Sequence, residues 1–199
     1  TAVVVPVVVI IALMVAVLIS RVKSGAGVYR WIVYLPSVLP LAVSFLVFKE
    51  MFGTKFGFVN SVLRNMGVVN PPEWFLSASS ALTTVGAAHI WILVGFPTLL
   101  FLIGIYNIGD EIYEAGSLDG ANGWQKLRYL TLPLLKPTFS LVLILLIPGI
   151  VAVTEPMLIL TQGGPADSTK SLGLNLYQIA FQKGDLRLGY ASAISLTMS

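Results

Sequence analysis

Long uncharged apolar runs constrain the fold of this sequence more than any other feature. Complete runs cover residues 2–19, 31–48, 81–107 and 138–154, and a further run begins at Leu188 and is followed to residue 199. None of these runs contains Asp, Glu, Lys or Arg. Because roughly 20 mostly apolar residues are enough to cross a bilayer as a helix, the pattern predicts an all-α fold, a polytopic transmembrane helix bundle.

Charged residues are too few to cover a water-soluble protein. They make up 11% of the 199 residues, whereas soluble domains carry about 25%. Cysteine is absent, which excludes disulfides, thiolate metal sites and cysteine nucleophiles from this sequence. Lys and Arg are scattered and form no basic block, so no nucleic-acid partner is expected. The expected surrounding is the lipid bilayer.

Both ends of the sequence lie inside apolar runs. Thr1 is followed at once by the first run, which lacks the charged front and the small-residue cleavage site of a signal peptide. Ser199 falls within the last run. We therefore expect residues 1–199 to be a single transmembrane domain, truncated at both ends, of a longer chain with more spans than the complete ones seen here.

The connections between the runs differ in length and charge. Residues 51–80 leave room for a short helix around residues 59–66. The 12 Lys and Arg residues divide equally between the two sides of the membrane, so their asymmetry gives only a weak orientation. The dense positive charge in residues 21–30 favours a cytoplasmic position for this connection, and hence for the connection after the third run.

The connection between the third and fourth complete runs is the most informative one. Asp110 is able to cap a helix that begins at Glu111, with acidic side chains near the positive helix end. Gly120 is expected to end this helix, because glycine accepts the left-handed conformation. Asn122 followed by Gln125 predicts a capping box for a second short helix.

The second short helix has a predicted apolar face. Trp124, Leu127 and Leu130 follow one another at three-residue spacing, and Pro133 is expected to end the helix. The product is a helix–turn–helix within residues 110–137, at the membrane surface. Helices this short are not stable in water unaided, so either their own bundle or a partner must pack on them.

Small and charged residues of the first helix are suited to a partner. Ala115 and Gly116 form a small-residue patch that allows the close approach of another backbone, and Glu114 offers a charge to a basic group. From the residues alone, packing on the chain's own bundle and docking on a partner remain equally open.

The stretch "EAGSLDGANGWQKLRYLTLPLLKP" resembles the EAA loop of the membrane subunits of binding-protein-dependent ABC importers. It departs from that pattern at Gly116, where the family usually has alanine, at Leu127, often phenylalanine, and in "NIGDEIYEA", which lacks the usual Ile-Pro. The glycine is expected to loosen the first helix by about 1 kcal/mol relative to alanine. The residues in register with the pattern are Glu114, Ala115, Asp119, Gly120, Ala121, Leu132, Pro133, Leu135 and Pro137.

Other stretches narrow the resemblance to carbohydrate-type permeases. "LTQGGPADSTKSLGLNLYQIAFQKGDLRLGYASAIS", "YRWIVYLPSVLP" and "EMFGTKFGFVNSVL" are similar to the first permease of the maltose and glycerol-phosphate systems. The resemblance covers nearly the whole chain. It implies a permease subunit in the plasma membrane of a bacterium or archaeon, for a sugar or sugar-like solute that the sequence does not identify.

The resemblance also implies a mechanism and partners. A second permease subunit completes the pathway, an external solute-binding protein delivers the solute, and a cytoplasmic ATPase dimer receives the EAA-like loop of each permease. ATP and Mg belong to that ATPase, so this chain is not an enzyme and binds no cofactor or metal. The loop is then cytoplasmic. The implied ATPase-coupling residues are Glu114, Ala115, Gly116, Asp119, Gly120, Ala121, Trp124 and Leu127.

Polar residues in or beside the apolar runs are candidates for the solute pathway, because ionisable groups at membrane depth are costly. His89 lies in the third run, where it either contacts a sugar hydroxyl or hydrogen-bonds a neighbouring helix. Glu155 follows the fourth run and is either a pathway residue or an interfacial anchor.

Two other classes of membrane protein fit the sequence less well. A membrane-embedded enzyme needs a cluster of catalytic residues, and this sequence has one His, no Cys and no paired acids at span depth. A secondary transporter driven by an ion gradient often shows internal repeats and buried acids near the midplane, neither of which is evident. It remains the alternative function, distinguished by transport that needs no ATPase.

Overall fold

A computed structural model of the chain describes residues 3–22, 24–151, 153–182 and 188–198. Within these ranges the regular structure is helical and contains no β-strand, which confirms the predicted all-α class. Some residues that entered the predicted spans or the charge count lie outside the described ranges: Ala2, Lys23, Lys183, Arg187 and Ser199.

The helices follow one another with short connections. The first six are α1 (Val4–Ser20), α2 (Ala26–Val38), α3 (Leu41–Met51), α4 (Phe58–Asn65), α5 (Ala78–Leu93) and α6 (Gly95–Tyr106). The others are α7 (Asp110–Leu118), α8 (Gly123–Lys126), α9 (Leu132–Leu134), α10 (Lys136–Val151), α11 (Glu155–Leu160), α12 (Leu172–Tyr177) and α13 (Leu188–Met198). The short helix predicted around residues 59–66 is confirmed as α4.

Two of the predicted apolar runs are divided into separate helices. The second run breaks between α2 and α3, where Pro40 has an extended backbone with ψ of 132°. Proline lacks an amide hydrogen and cannot continue the helical hydrogen bonds there. The third run breaks between α5 and α6. Pro36 and Pro148 lie inside α2 and α10. The limits of the bilayer crossings stay predictions.

Taken alone, no helix in the described ranges is both long enough and apolar enough to cross a membrane. Three pairs of neighbouring helices satisfy these criteria when the two helices of a pair are combined despite the bend between them. These pairs are α2 with α3, α5 with α6, and Gly123–Leu134 with Lys136–Pro148.

The chain folds as two compact units. The first unit combines the chain up to Val38 with Leu93–Pro148, and the second combines Leu39–Ile92 with Gly149–Ser199. In the first unit, α1 and α2 pack on α6. The buried side of α1 consists of small and β-branched residues at helical spacing, which allows close helix packing: Val8, Val9, Ala12, Ala16 and Ile19.

Glycines on α6 permit close packing within the first unit. A Cβ at Gly95 would lie 2.9 Å from the carbonyl oxygen of Val33 and 2.6 Å from Ser37 Oγ, so α2 approaches α6 closely there. A Cβ at Gly104 would lie 2.7 Å from both Leu135 Cδ2 and Thr138 Oγ1. The start of α10 is thereby held against α6. It directly follows α7, α8 and α9 in the chain.

The second unit is built on an apolar core between α3, α5 and α11. This core consists of Phe45, Phe48, Val85, Ala88, Ile92 and Leu160. Lys49 extends from α3 and donates a hydrogen bond from Nζ to the carbonyl oxygen of Ile159, 3.1 Å away. The end of α11 has free carbonyl groups, so this bond ties α3 to α11 while satisfying one of them.

Candidate functional site

Acidic side chains stand at the start of α7. Gly109 is the capping residue, with ψ of 142°, and Asp110 is the first helical residue, followed by Glu111. The prediction that Asp110 caps the helix is therefore wrong by one position, because the chain becomes helical at Asp110 itself. Both carboxylates still lie in the first turn, where the helix dipole stabilises negative charge.

The end of α7 is closed by a left-handed glycine, as predicted. Gly120 has φ of +76°, and its amide donates to the carbonyl oxygen of Ser117 over 3.1 Å. The amide of Ala121 donates to the carbonyl oxygen of Gly116 over 2.9 Å. These two bonds form a Schellman motif, which reverses the chain immediately after Asp119.

The capping box predicted for α8 is confirmed. The amide of Gln125 donates to Asn122 Oδ1 over 2.9 Å, and the amide of Asn122 donates to Gln125 Oε1 over 2.7 Å. Beyond α8 the chain continues through a π-helical turn, Leu127–Thr131, into α9. The prediction that Pro133 ends the helix is wrong: the chain stays helical to Leu134, because the π-helical turn already interrupts the ordinary hydrogen bonds there.

The two arms of the helix–turn–helix pack on each other. Gly116 is buried, and a Cβ in its place would lie 2.9 Å from Leu130 Cδ1. The hydroxyl groups of Tyr113 and Thr131 are hydrogen-bonded at 3.0 Å. Gly116 therefore serves the internal contact between the arms, and the predicted outward small-residue patch is reduced to Ala115.

The outer side of the loop presents a small set of unpaired groups. Glu114 and Ala115 are exposed, and Glu114 makes no hydrogen bond or ion pair with any described residue. Leu118 is 90% exposed at the end of α7, beside the exposed Asp119. Sequence reasoning missed Leu118, although a large apolar residue directly before an Asp-Gly turn in a polar segment is the signal that could have found it.

Trp124 and Leu127 do not share one apolar face. Trp124 is 66% exposed, whereas Leu127 is half-buried. Leu127 lines a cavity of about 520 Å³ within the first unit, together with Val17 and Ile105. A π-helical turn begins at Leu127, so the regular helical spacing assumed in the prediction does not continue beyond it. Leu130, the third member of the predicted face, contacts Gly116.

The remaining members of the predicted coupling set lie at the turn. Gly120 is exposed and Ala121 is half-buried, so the turn itself reaches the surface. The exposed predicted residues thus fall on α7, the turn and the start of α8, separated by the buried Gly116 and the half-buried Ala121: Glu114, Ala115, Asp119, Gly120 and Trp124.

The two candidate pathway residues lie in the second unit. His89 is buried on α5, and its ring lies 6.3 Å from that of Phe45, tilted by 56°. Glu155 is exposed in the first turn of α11. No hydrogen bond to the His89 ring is found among the described residues, and their roles stay predictions. Nor do the described residues bring together three or more His, Asp or Glu side chains able to hold a metal ion.

The helices define an all-helical membrane permease fold. A solved bacterial ABC transporter involved in the import of the acidic polysaccharide alginate has a chain that superposes with a TM-score of 0.83, at 24% identity, covering 96% of this chain and 66% of that one. The chain belongs to the family of binding-protein-dependent transport system inner membrane components, which matches residues 6–199.

Some relatives of the chain are named as permeases of sugar transport systems. It is 34% identical over 187 residues to the trehalose/maltose transport system permease protein of Thermococcus litoralis, covering 94% of this chain and 62% of that protein. It is 31% identical over 182 residues to the lactose transport system permease protein of Rhizobium radiobacter, covering 89% of this chain and 61% of that protein. The chain spans 61–65% of the length of such curated relatives.

Proposed function

We propose that this chain is the permease subunit of an ATP-driven importer for a sugar or sugar-like solute. An external binding protein delivers the solute, a second permease subunit completes the pathway, and a cytoplasmic ATPase dimer docks on the EAA-like loop, defined as residues 110–137. The single observation that carries the proposal is Glu114, an exposed carboxylate without a partner among the described residues, on a loop whose helix ends are closed by hydrogen bonds within the chain.

The loop offers chemistry suited to a groove on another protein. Glu114 and Leu118 are four residues apart, so they lie on one side of α7. The exposed Glu114 carboxylate and the exposed Leu118 side chain together fit a groove that has a basic residue at its rim and an apolar floor. The leucine is costly in water, because burying such a side chain gains about 1.5–3 kcal/mol. Docking would remove Leu118 from water and pair Glu114 with the basic residue.

The carbohydrate class rests on the relatives. Those named above carry trehalose/maltose and lactose in their names, and the solved neighbour imports alginate. His89 and Glu155 are our candidates for pathway residues in this chain. A buried imidazole is able to donate and accept hydrogen bonds with hydroxyl groups, and the exposed Glu155 carboxylate is able to accept them.

A pull-down of the native assembly tests the proposal. The full-length protein is tagged in its own cells, solubilised gently and analysed for stoichiometric partners by mass spectrometry. We expect a second permease and an ATPase, and solute-stimulated ATP hydrolysis by the purified complex. A photo-crosslinker at Leu118 should join this chain to the ATPase, whereas one at the exposed Glu73, in the second unit, should not.

The alternative is a secondary transporter driven by an ion gradient. Recovery of the chain alone, without ATPase even after crosslinking from Leu118, would favour that alternative. Solute uptake that persists in cells lacking the ATPase would do the same, provided that uptake then collapses with the ion gradient. Uptake lost with the ATPase would support the importer.

A further inference from the structure

The short helix α4 exposes its apolar side and buries a polar residue. Asn60 is only 1% exposed, whereas Phe58 is 66% and Met66, which caps the helix, is 76% exposed. Val62 lies between them and is also exposed. Phe58, Val62 and Met66 follow at four-residue intervals, so they form one outer stripe. We call these three residues the α4 stripe.

The inward polar residue is explained by the loops on either side of α4. Asn60 Nδ2 donates to the carbonyl oxygens of Thr54, at 3.2 Å, and Pro72, at 3.3 Å. Trp74 Nε1 donates to Asn60 Oδ1 at 2.7 Å. The amide side chain thereby ties together the chain before and after the helix. These bonds fix the orientation of α4 and leave the α4 stripe turned outward.

Aromatic contacts hold α4 close to the end of α3. Trp74, which bonds Asn60, meets the ring of Phe52 edge-on at a centroid distance of 5.4 Å. Phe52 stacks on Phe48, within α3, at 4.3 Å. The helix is thus separated from the end of α3 by little more than two side chains. Tryptophan, here Trp74, is enriched at the level where the bilayer meets water.

The outer side of α3 supports the same level for α4. Leu46 and Val47 of α3 are exposed apolar residues of a chain that belongs to a membrane family, so we expect them to face lipid. The α4 stripe adds further exposed apolar side chains on a helix that contacts α3. Phe56, in the connection between α3 and α4, is also apolar and is 95% exposed.

The charge of this segment also favours a phospholipid surface. Residues 51–72 contain two basic residues, Lys55 and Arg64, and no acidic one. Arg64 donates to the carbonyl oxygens of Lys55 and Thr54, each at 2.8 Å, so its charge is held beside the turn before α4. Basic residues flanking an apolar helix face are typical of helices that lie in the membrane interface.

We propose that α4 is a membrane-surface anchor whose stripe of Phe58, Val62 and Met66 inserts between the headgroups and acyl chains of the bilayer at the end of α3. A binding protein that docks transiently is expected to contact a surface about as polar as the rest of a protein surface. The α4 stripe is less polar than that. The inference requires that the chain is embedded in a membrane, but it does not depend on the solute or on the ATPase.

Site-directed spin labelling of the assembled full-length transporter tests the anchor. Single cysteines, each carrying a nitroxide, are placed at Val62 and Met66, with Leu46 as a lipid-facing control and the exposed Glu73 as a water-facing control. The samples are nanodiscs of phosphatidylethanolamine and phosphatidylglycerol. Collision rates with oxygen, which concentrates in lipid, and with a nickel chelate, which stays in water, report the depth of each label.

We expect the labels at Val62 and Met66 to match Leu46 in favouring oxygen, and the label at Glu73 to favour the nickel chelate. Labels at Val62 and Met66 that match Glu73 would overturn the anchor. So would labels shielded from both reagents, since the stripe would then be covered by protein: another subunit, the binding protein or the rest of this chain. If the label at Leu46 itself favours the nickel chelate, the placement of α3 in the membrane is wrong. The proposed importer is then wrong as well.

Discussion

Glu114 stands on the outer side of α7 without a partner in the described chain. We predict that Glu114→Lys uncouples ATP hydrolysis from uptake while the chain still inserts in the membrane. Reversing a charge that pairs across an interface costs several kcal/mol, so uptake should fall by about tenfold or more. Uptake and ATPase activity are measured in the same vesicles.

Glu111 provides the matched control for this variant. It is an exposed acid on the same helix, one turn earlier, and belongs to no coupling position. Glu111→Lys should reduce uptake much less than Glu114→Lys. Equal effects would show that only the overall charge of α7 matters, and normal transport by Glu114→Lys would remove its assigned role.

Gly116 gives a second prediction for a single residue. Alanine there gains about 1 kcal/mol of helix propensity, and its Cβ meets only the flexible end of Leu130, at 2.9 Å. We therefore expect Gly116→Ala to keep uptake within about twofold of the parent. Gly116→Leu should overfill the contact between the arms and reduce both uptake and co-purification of the ATPase. Loss of function in the alanine variant would mean that the bare glycine faces a partner.

At the scale of the element, the capping box of α8 has a defined contribution. Asn122→Ala removes the acceptor for the Gln125 amide, and losing such a cap costs about 1 kcal/mol. Hydrogen exchange at the Gln125 amide should become about fivefold faster, and uptake should fall moderately. Asn122→Asp keeps an acceptor oxygen and should resemble the parent. Unchanged exchange in the alanine variant would show that α8 is held by other contacts.

The parts of the loop that sequence predicts correctly are those with local causes. The turn at Gly120 and the bonds between Asn122 and Gln125 involve residues at most five positions apart. Their geometry depends on little beyond the chain itself. The length of the apolar runs similarly predicts a helical membrane fold, because the bilayer leaves few alternatives.

The parts that sequence misses depend on distant contacts. Gly116 is buried because Leu130, fourteen positions later, packs on it. Hydrophobic spacing alone assumes a regular helix, whereas a π-helical turn begins at Leu127 and Leu130 packs on Gly116. The role of His89 stays a prediction for the same reason: its neighbour Phe45 is far away in sequence, and a lone histidine has no spacing pattern to read.

At the scale of the whole molecule, packing of α2 on α6 is expected to limit the stability of the assembled transporter. A Cβ at Gly95 would meet the backbone oxygen of Val33 at 2.9 Å, and a backbone atom cannot rotate away. Gly95→Ala should lower the stability of the solubilised complex by about 1–3 kcal/mol, seen as a lower melting temperature. Gly86→Ala on α5, where nothing lies within 4 Å, is the control and should change little. Equal melting temperatures for the two variants would contradict the close approach.

The hydrogen bonds that close the helix ends of the EAA-like loop have a consequence for the assembly of the transporter. The Schellman motif at Gly120 and the capping box at Asn122 satisfy the backbone groups around the turn before any other subunit arrives. A recognition element that is already ordered loses little conformational entropy on association. If the loop docks on an ATPase as proposed, we expect that docking to be rapid and to need no folding step, so the order of subunit synthesis should matter little to the yield of complete transporter.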